Sequence, residues 1–269
     1  MEIAVVGGTG TFGRLAVAEL DRRGHAVRVL SRNAPEGEAS AHRRVDLATG
    51  EGLREALEGV EVVLDAANSG GRKQQTTTVL IEGTRRLLAA GAEAGVRHHA
   101  LISIVGIEAV PVSYYRAKVD QERLVRGGPL PASILRATQF HQLIDQILEA
   151  FARFRILPRW SLLFQPVDPR EVAVAMADSI EAGPSEERRE VAGPEVHKLG
   201  ELARIRQSTS DRRCWQVPMP LFGAAPAAAR RGALCAPDAP QGSVTFERWL
   251  KEGRGEQEPA GSETYAGGR

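Results

Sequence analysis

A tyrosine, a lysine and a serine point most directly to chemistry. Tyr114 and Lys118 are four residues apart, so they share one face of a helix if this segment is helical. A lysine ammonium beside a phenol favours the phenolate and lowers the phenol pKa from about 10. Such a tyrosine can donate or accept the proton while hydride moves to or from a carbonyl carbon. Ser103 lies at the end of a predicted strand, where its hydroxyl can hydrogen-bond the substrate oxygen. These three residues are the predicted catalytic group.

The same residues also have a plainer interpretation, an ordinary helix face with Ser113 as its cap. Tyr115 is an alternative to Tyr114, but Val119 rather than a lysine lies four residues after it. A lysine at position 118 can also hold the ribose of a nicotinamide cofactor. The pair therefore predicts both proton transfer and cofactor binding.

A glycine-rich loop follows the first apolar run of the chain. The sequence GGTGTFG at 7–13 lies between a predicted strand and a predicted helix. In a dinucleotide site, Gly7 permits the tight turn, Gly10 lets the backbone approach a pyrophosphate, and Gly13 allows close helix–strand packing. Amide groups at the helix start then point at the phosphates. The alternative is a plain strand–helix turn. The predicted cofactor-binding residues of this loop are Gly7, Thr9, Gly10, Thr11, Phe12 and Gly13.

The end of the second predicted strand bears on the choice of cofactor. An acid there would hydrogen-bond the ribose 2′-hydroxyl of NAD, but Ser31 and Arg32 stand at this place instead. An arginine pairs through its planar fork with a phosphate, so NADP(H) is predicted in preference to NAD(H). Arg32 is alternatively one more surface arginine.

Further cofactor contacts are expected where the next strands end, because ligands bind at the carboxyl ends of parallel strands. Asp46 and Leu47, after the third strand, are placed near the adenine. The segment Ala66, Ala67 and Asn68, after the fourth strand, is expected to run beneath the cofactor.

Strand-like and helix-like segments alternate along the first part of the chain. Strands are predicted over 3–6, 26–30, just before Asp46, and over 60–66, 96–103 and 132–136. Helices are predicted from the glycine loop to Gly24 and over 51–58, 77–94, 113–126 and 140–154. This alternation predicts an α/β fold, a doubly wound parallel sheet of the Rossmann type with helices on both faces.

Prolines divide the chain into shorter pieces after about residue 155. We predict a Rossmann core over 1–155, a C-terminal substrate region over 156–251 that completes the same domain, and a disordered tail over 252–269. Asp168, Pro169 and Glu171 mark a helix start, so Asp168 is expected to be a structural cap rather than a catalytic acid. Further helices are predicted over 199–207 and 246–250.

The composition of the chain argues against a nucleic-acid-binding, a metal-binding and a membrane protein. The chain has 269 residues, 42% of them hydrophobic and 26% charged, with a net charge of +1. A near-neutral chain lacks the overall charge of a nucleic-acid binder. The two cysteines, Cys214 and Cys235, and the adjacent His98 and His99 have no metal-ligand spacing, so no metal is predicted. We expect no signal peptide, because the first residues, MEIAVVGG, lack a basic start, and no membrane helix, because no apolar run approaches the length that one needs. A cytoplasmic protein that binds neither nucleic acid nor membrane is expected.

These motifs together resemble the NmrA-like group of atypical short-chain dehydrogenases/reductases, over roughly residues 1–250. The resemblance is carried by GGTGTFGR at 7–14, VLDAAN at 63–68, SIVGI at 103–107, YYRAK at 114–118, ILRATQF at 134–140 and PVDPREVA at 166–173. It implies a seven-stranded doubly wound sheet with NADP in the glycine loop, and it places Ala137 and Phe140 beside the nicotinamide. The family has a proline after the arginine of ILR, where this chain has Ala137.

We expect an NADPH-dependent oxidoreductase that reduces a carbonyl, a quinone or a conjugated small molecule. The alternatives are a non-catalytic NADP-binding sensor that signals to a protein partner, and an epimerase or cyclase that retains its NADP. His141, Trp160 and Phe164 are the candidate substrate contacts. A monomer and a homodimer are both compatible with the sequence.

Overall fold

The central feature of the fold is a parallel sheet of seven strands. The computed structural model describes residues 1–33, 41–69, 76–210 and 212–252. The sheet has the order β3-β2-β1-β4-β5-β6-β9, and every neighbouring pair is parallel. Its strands are β1 (Glu2–Val6), β2 (Ala26–Ser31), β3 (His42–Arg44), β4 (Val62–Asp65), β5 (His98–Ile104), β6 (Ala132–Ala137) and β9 (Arg189–Val191). The predicted doubly wound α/β fold is confirmed.

Helices cover both faces of this sheet. They are α1 (Thr11–Arg22), α2 (Leu53–Leu57), α3 (Thr84–Ala94), α4 (Ser113–Arg126), α5 (His141–Ala152), α6 (Pro169–Glu181), α7 (Leu199–Ser208), α8 (Ala224–Arg230) and α9 (Phe246–Glu252). The predicted helix over 77–94 has two parts, because a π-helical segment (Thr78–Gly83) leads into α3. At Gly83 the helix lies so close to Leu47 that an added Cβ would be 3.0 Å from the Leu47 Cβ.

Residues of the inner strands alternate between two apolar layers, which explains the continuous apolar runs in β1 and β4. One layer packs beneath α3 and α4 and includes Ala4, Val6, Leu30, Val63, Leu101, Leu87, Leu88 and Val125. The other layer packs beneath α1 and α6 and includes Ile3, Val5, Val62, Leu64, Phe12, Ala16, Leu20, Val172 and Met176. Burial on both faces fixes the strand register. Because neighbouring strands are parallel, the carboxyl ends of β1, β4, β5 and β6 lie at the same edge of the sheet.

The sequence patterns missed the short strands of the C-terminal part. β7 (Ile156–Pro158) pairs with β11 (Trp215–Val217), β8 (Leu163–Phe164) pairs with β10 (His197–Lys198), and β9 extends the main sheet beside β6. Each has only two or three residues, too few for a period of two to be visible. The predicted tail lies outside the described residues except for Glu252, the last residue of α9.

The predicted helix start at Asp168 is confirmed as a structural cap. The Asp168 carboxylate accepts a hydrogen bond from the amide of Arg170 at 2.8 Å, and Pro169 is the first helical residue. Glu171, three residues after the cap, binds a different part of the chain. It accepts hydrogen bonds from the amide and hydroxyl of Ser243 and thereby fastens the C-terminal segment to α6.

Two adjacent histidines in β5 predict how stability depends on pH. His98 and His99 are both buried, and burial lowers the pKa of His98 to about 4 and also lowers that of His99. Because the unfolded chain binds these protons at higher pH than the folded chain, the free energy of unfolding falls as the pH drops below about 6.5. For His98 the expected loss between pH 7 and pH 5 is about 2 kcal/mol. Urea unfolding at the two pH values measures it, and His98→Gln is expected to remove most of this loss.

Candidate functional site

The glycine loop joins β1 to α1 and leaves no room for side chains at two places. Gly7 has a φ of 74°, in the left-handed region, and a Cβ there would be 2.8 Å from the carbonyl oxygen of Ala66. A Cβ at Gly13 would be 2.2 Å from the carbonyl oxygen of Gly7. At Gly10, by contrast, an added Cβ would have one atom of the described residues within 4 Å beyond its chain neighbours, the Gly7 carbonyl oxygen at 3.2 Å. The turn and the packing thus need Gly7 and Gly13, while Gly10 has an open side.

The first turn of α1 has amide groups available for an anion. Gly10 is the N-cap and provides no side-chain hydrogen bond, and the first backbone bond of the helix runs from the Arg14 amide to the Gly10 carbonyl at 3.0 Å. The amides of Thr11, Phe12 and Gly13 therefore have no intrahelical partner, and no acidic residue lies in this turn. This arrangement fits a pyrophosphate at the positive end of the helix dipole.

Phe12 and Phe140 are brought together, as two residues predicted at the cofactor site. Their rings stack with centroids 5.9 Å apart, and Phe12 is buried. The contact joins the glycine loop to the N-cap of α5, two residues past Thr138 and three past Ala137, the end of β6. The Phe12 side chain therefore packs beneath the glycine loop. Ala137 is buried in the same apolar layer.

The structure places the predicted adenosine contacts at the ends of β2 and β3. The Ser31 hydroxyl donates to the Asn33 carbonyl oxygen and lies 3.0 Å from Nε2 of His42. Arg32 is exposed and forms no ion pair within the described part of the chain. Asp46 accepts the Ala48 amide at 2.8 Å, so its carboxylate closes a turn, and the neighbouring Leu47 is buried.

The segment after β4 connects the glycine loop to Tyr114. Ala66 and Ala67 lie against Gly7, with an added Cβ at Gly7 3.0 Å from the Ala67 Cα. The next residue, Asn68, accepts a hydrogen bond from the Tyr114 hydroxyl at 2.8 Å. Tyr114 is therefore held at the same sheet edge as the nucleotide loop.

Lys118 lies one turn after Tyr114, but its hydrogen bonds point into the protein. Its ammonium donates to the Ile102 carbonyl at 3.0 Å and to Oε1 of Gln121 at 2.7 Å, and the side chain is buried. Burial lowers the pKa of Lys118 to about 8, opposed by the negative charges of Asp65 and Glu122. The sequence patterns missed Gln121 and Asp65. An acid that ends an apolar strand and a glutamine three residues after the lysine were the available signals.

Ser103 follows Ile102 in β5, next to the carbonyl that accepts from Lys118. Its side chain is buried, and among the described residues its hydroxyl has no hydrogen-bond partner. Buried polar groups are normally paired, so an unpaired hydroxyl at a predicted site fits a ligand contact. Ser103 and Lys118 are thus brought to one place, and the role of the serine stays a prediction.

A buried arginine anchors the helix that carries Tyr114. Arg136 of β6 forms paired hydrogen bonds with Glu122 of α4 at 2.8 and 2.6 Å and with Glu108 at 3.0 and 2.6 Å. Such two-pronged pairs fix orientation as well as distance. Arg136 is the one charged residue of the apolar strand β6, and this pattern could have indicated a buried ion pair.

The two residues after Ala137, Thr138 and Gln139, form hydrogen bonds with the C-terminal part of the chain. The Thr138 hydroxyl accepts the Gly193 amide at 3.2 Å, and the Gln139 amide nitrogen donates to the Leu234 carbonyl at 2.8 Å. Gln165 continues the network, since it receives the Ala236 amide at 2.8 Å. These side chains fasten the C-terminal segment beside the end of β6, and Ala137, which stands where the family has its proline, contributes none of the three bonds.

One of the three expected substrate contacts is misplaced. His141 is fully buried, its Nε2 donates to the Val244 carbonyl at 3.0 Å, and its ring packs against Phe246 and Trp249. It is therefore part of the core beneath α9 and not a wall of a substrate pocket.

Trp160 and Phe164 are half-buried and pack against an apolar cluster of Val110, Leu162, Ala228, Ala229 and Leu234. Tyr115 packs against the same cluster with its ring. The Trp160 indole donates to the Met219 carbonyl at 2.8 Å, which fixes its orientation. Their contact with a substrate stays a prediction.

The described residues contain neither a metal-binding cluster nor a membrane-spanning helix. Within residues 1–33, 41–69, 76–210 and 212–252, His, Cys, Asp and Glu form no group of three or more that could hold a metal. In the same ranges, no helix has the length and apolarity needed to cross a membrane.

The sheet order, the glycine loop at the β1–α1 turn and the Asn68–Tyr114 contact define a Rossmann protein with a dinucleotide site. Comparison with known proteins agrees. Residues 7–146, more than half of the chain, match the pattern of the family described as NAD(P)H-binding. The chain belongs to this family.

Two curated relatives match part of the chain. Photosystem II assembly factor Ycf39 of Trieres chinensis is 27% identical over 154 residues, which cover 54% of this chain and 48% of the relative. The protein of the same name from Synechocystis is 30% identical over 154 residues, 54% of this chain and 47% of the relative. The chain therefore spans about half the length of the curated relatives it matches.

Solved structures match nearly the whole chain. A short-chain dehydrogenase/reductase superfamily protein from Agrobacterium tumefaciens with bound NAD has a TM-score of 0.73 at 22% identity and covers 94% of this chain and 95% of its own. An NADPH-dependent quinone oxidoreductase from Escherichia coli with NADPH has a TM-score of 0.76 at 18% identity, with 93% and 99% covered. The Citrobacter triphenylmethane reductase with NADP(H) has a TM-score of 0.67 at 18% identity, with 96% and 97% covered. At these identities the likeness shows the fold alone.

Proposed function

We propose that this protein is an NADPH-dependent oxidoreductase of the atypical short-chain type. Its substrate is a small organic molecule with a carbonyl, quinone or conjugated group, and Tyr114 is the proton donor. One observation carries the proposal: the Tyr114 hydroxyl is 2.8 Å from Asn68 Oδ1, in the segment that lies against Gly7 of the nucleotide loop. A proton donor at the edge of a dinucleotide site is the arrangement that carbonyl reduction needs.

In the proposed reaction, different residues bind the cofactor, donate the proton and stabilise the substrate oxygen. The bound cofactor supplies the hydride, while the protein supplies orientation and electrostatics. The amides at the start of α1 hold the pyrophosphate. The Tyr114 O–H bond points at Asn68, and rotation about the phenolic C–O bond turns its proton toward a substrate oxygen. The Ser103 hydroxyl donates a hydrogen bond to that oxygen and stabilises the negative charge that develops there.

The substrate class is supported by the surroundings of this edge. Trp160 and Phe164, with the apolar cluster that they contact, offer aromatic and aliphatic surface rather than charge. A planar organic molecule without phosphate or carboxylate groups fits such a lining better than a phosphorylated or carboxylated one. The names of the Escherichia coli and Citrobacter proteins, a quinone oxidoreductase and a triphenylmethane reductase, point to the same class of substrate.

NADP preference is expected to depend on Arg32. Its guanidinium is exposed at the end of β2 and forms no ion pair within the described ranges, so it is available to a 2′-phosphate. Arg32→Ala is expected to weaken NADPH binding by about 10- to 100-fold, the effect of one charge-assisted hydrogen-bonded pair, and to leave NADH affinity unchanged. Cofactor fluorescence titration measures both. Arg126→Ala, at the far end of α4, is the control, and equal effects of Arg32→Ala on the two cofactors would refute the assignment.

Steady-state NADPH consumption with a panel of quinones, aldehydes, ketones and cationic dyes tests the proposed activity. Turnover of at least one member, with NADPH preferred over NADH, is expected. Tight NADPH binding without consumption across the whole panel would count against a reductase.

A non-catalytic NADP-binding protein is the second candidate. Both curated relatives carry the name of an assembly factor, and the Lys118 ammonium is hydrogen-bonded to the protein interior. A protein of this kind would bind NADPH and a protein partner without turnover. The same assay separates the two candidates, since Tyr114→Phe would then change nothing.

A further inference from the structure

Lys118 belongs to a buried polar network that links two neighbouring strands to the Tyr114 helix. Gln121, on the same helix, accepts from the Lys118 ammonium at 2.7 Å and donates to Asp65 Oδ2 at 3.1 Å. Its amide nitrogen also lies 3.0 Å from the Thr84 hydroxyl of α3. All four side chains are buried, and Gln121 is fully so. A single amide therefore stands between a buried cation and a buried carboxylate.

Asp65 extends this network to the cofactor segment. It is the last residue of β4, and its Oδ1 accepts the Ala67 amide at 3.1 Å. Ala67 precedes Asn68, which accepts from Tyr114. The segment beneath the expected cofactor is thus held at both ends by α4, through Gln121 at Asp65 and through Tyr114 at Asn68.

We propose that Gln121 is a positioning residue, which holds the Lys118 ammonium at the end of β5 by linking it through its amide to the Asp65 carboxylate. The inference rests on the proposed function for the role of Lys118 in cofactor binding. The position of its ammonium follows from the hydrogen bonds of Gln121 and does not depend on that function. Among the described residues, Ile102 and Gln121 accept two of the three ammonium protons, which leaves one donor for a ligand.

The charges around Lys118 explain the effect of having the Gln121 amide, rather than a direct ion pair, between Lys118 and Asp65. Asp65 faces the network from β4, His99 from β5 with Nε2 3.9 Å from Asp65, and Glu122 from α4, where it is paired with Arg136. A direct ion pair between Lys118 and Asp65 would fix the cation and keep it charged. The intervening amide transmits a weaker attraction, consistent with a Lys118 pKa near 8 that Asp65 and Glu122 keep from falling further. His99 is held neutral by burial, so it does not repel the ammonium.

The pKa of Lys118 measured in the cofactor-free protein tests the proposal without any substrate. The chain has only four lysines, Lys73, Lys118, Lys198 and Lys251, so ¹³Cε-lysine labelling gives resolvable signals and Lys118→Met assigns the relevant one. Gln121→Leu removes the amide, and Asp65→Asn removes the charge while keeping the shape. Each is expected to lower the Lys118 pKa by about one pH unit, the lower end of the effect of a nearby charge or of a hydrogen bond to the charged form. Gln165→Leu, which removes another buried glutamine, is the matched control and should leave it unchanged.

A second readout measures whether Gln121 acts through Lys118. Gln121→Leu and Lys118→Met are each expected to weaken NADPH binding by about tenfold, and the double variant by no more than either alone. Additive losses would overturn the positioning role, as would a wild-type Lys118 pKa in both Gln121→Leu and Asp65→Asn. If Gln121→Leu fails to fold, the isosteric Asp65→Asn decides by its Lys118 pKa.

The two hypotheses fail in different ways. Should Lys118→Met leave NADPH affinity unchanged, the predicted contact of Lys118 with the nicotinamide ribose is wrong. The Lys118 pKa in the cofactor-free variants still tests Gln121 in that case.

Discussion

Tyr114→Phe is expected to lower kcat by about 10²- to 10⁴-fold, the usual contribution of a positioned general acid. The substitution removes only the hydroxyl, and with it the hydrogen bond to Asn68, so NADPH affinity is expected to stay within about threefold, the range for loss of one exposed hydrogen bond. A KM close to that of the wild type would show that the loss belongs to the transition state rather than to substrate binding. The measurement is steady-state NADPH oxidation with the best substrate of the panel.

Tyr115→Phe is the matched control, because it makes the same chemical change one residue further along the helix. The Tyr115 ring packs against the apolar cluster that includes Val110 and Leu234, and phenylalanine keeps this packing. Its kcat is expected to remain within about threefold of wild type, as for a hydroxyl outside the reaction. Equal losses in the two variants would place the proton donor elsewhere.

Gly13→Ala is expected to abolish NADPH binding, with a loss of at least about 100-fold, and to destabilise the fold by about 3 kcal/mol. The new Cβ would be 2.2 Å from the Gly7 carbonyl oxygen and 2.7 Å from the Gly8 Cα, and both are backbone atoms that cannot rotate away. The loop must therefore move away from α1, and the amides at the helix start lose their arrangement around the pyrophosphate. Calorimetric titration and urea unfolding measure the two effects.

Gly24→Ala separates this steric effect from the general cost of replacing glycine. Gly24 lies two residues after the end of α1 with a φ of 81°, and among the described residues no atom beyond its chain neighbours lies within 4 Å of an added Cβ. The substitution strains only a left-handed residue, so a loss of about 1 kcal/mol with unchanged NADPH affinity is expected. A Gly13→Ala protein as stable as Gly24→Ala, with NADPH affinity intact, would contradict the loop geometry.

Most of the sheet could be predicted from the sequence because its inner strands contain apolar runs that helical patterns separate. The predicted helix over 113–126 matches α4 residue for residue, and the strand over 3–6 misses only the first residue of β1. β9 could not be predicted in the same way. Its three residues, Arg189–Val191, carry two charges and join the sheet only because α6 returns the chain beside β6.

The candidate site could be predicted where the chemistry is local. The glycine loop and the spacing of Tyr114 and Lys118 each lie within a few residues, so the sequence alone indicates them. Long-range contacts are different. The bond between Tyr114 and Asn68 joins residues 46 apart, and Gln121 and Asp65 are 56 apart. The burial of His141 depends on α9, more than a hundred positions away, and no local pattern around His141 indicates this contact.

Isothermal titration of the purified protein with NADPH and then with NADH tests the central claim most directly, because every proposed role depends on a cofactor in the glycine loop. We expect NADPH to bind tightly and with one site per chain, and NADH to bind at least about tenfold more weakly, since it lacks the 2′-phosphate that Arg32 pairs with. Absence of binding by both cofactors would contradict the proposed reductase.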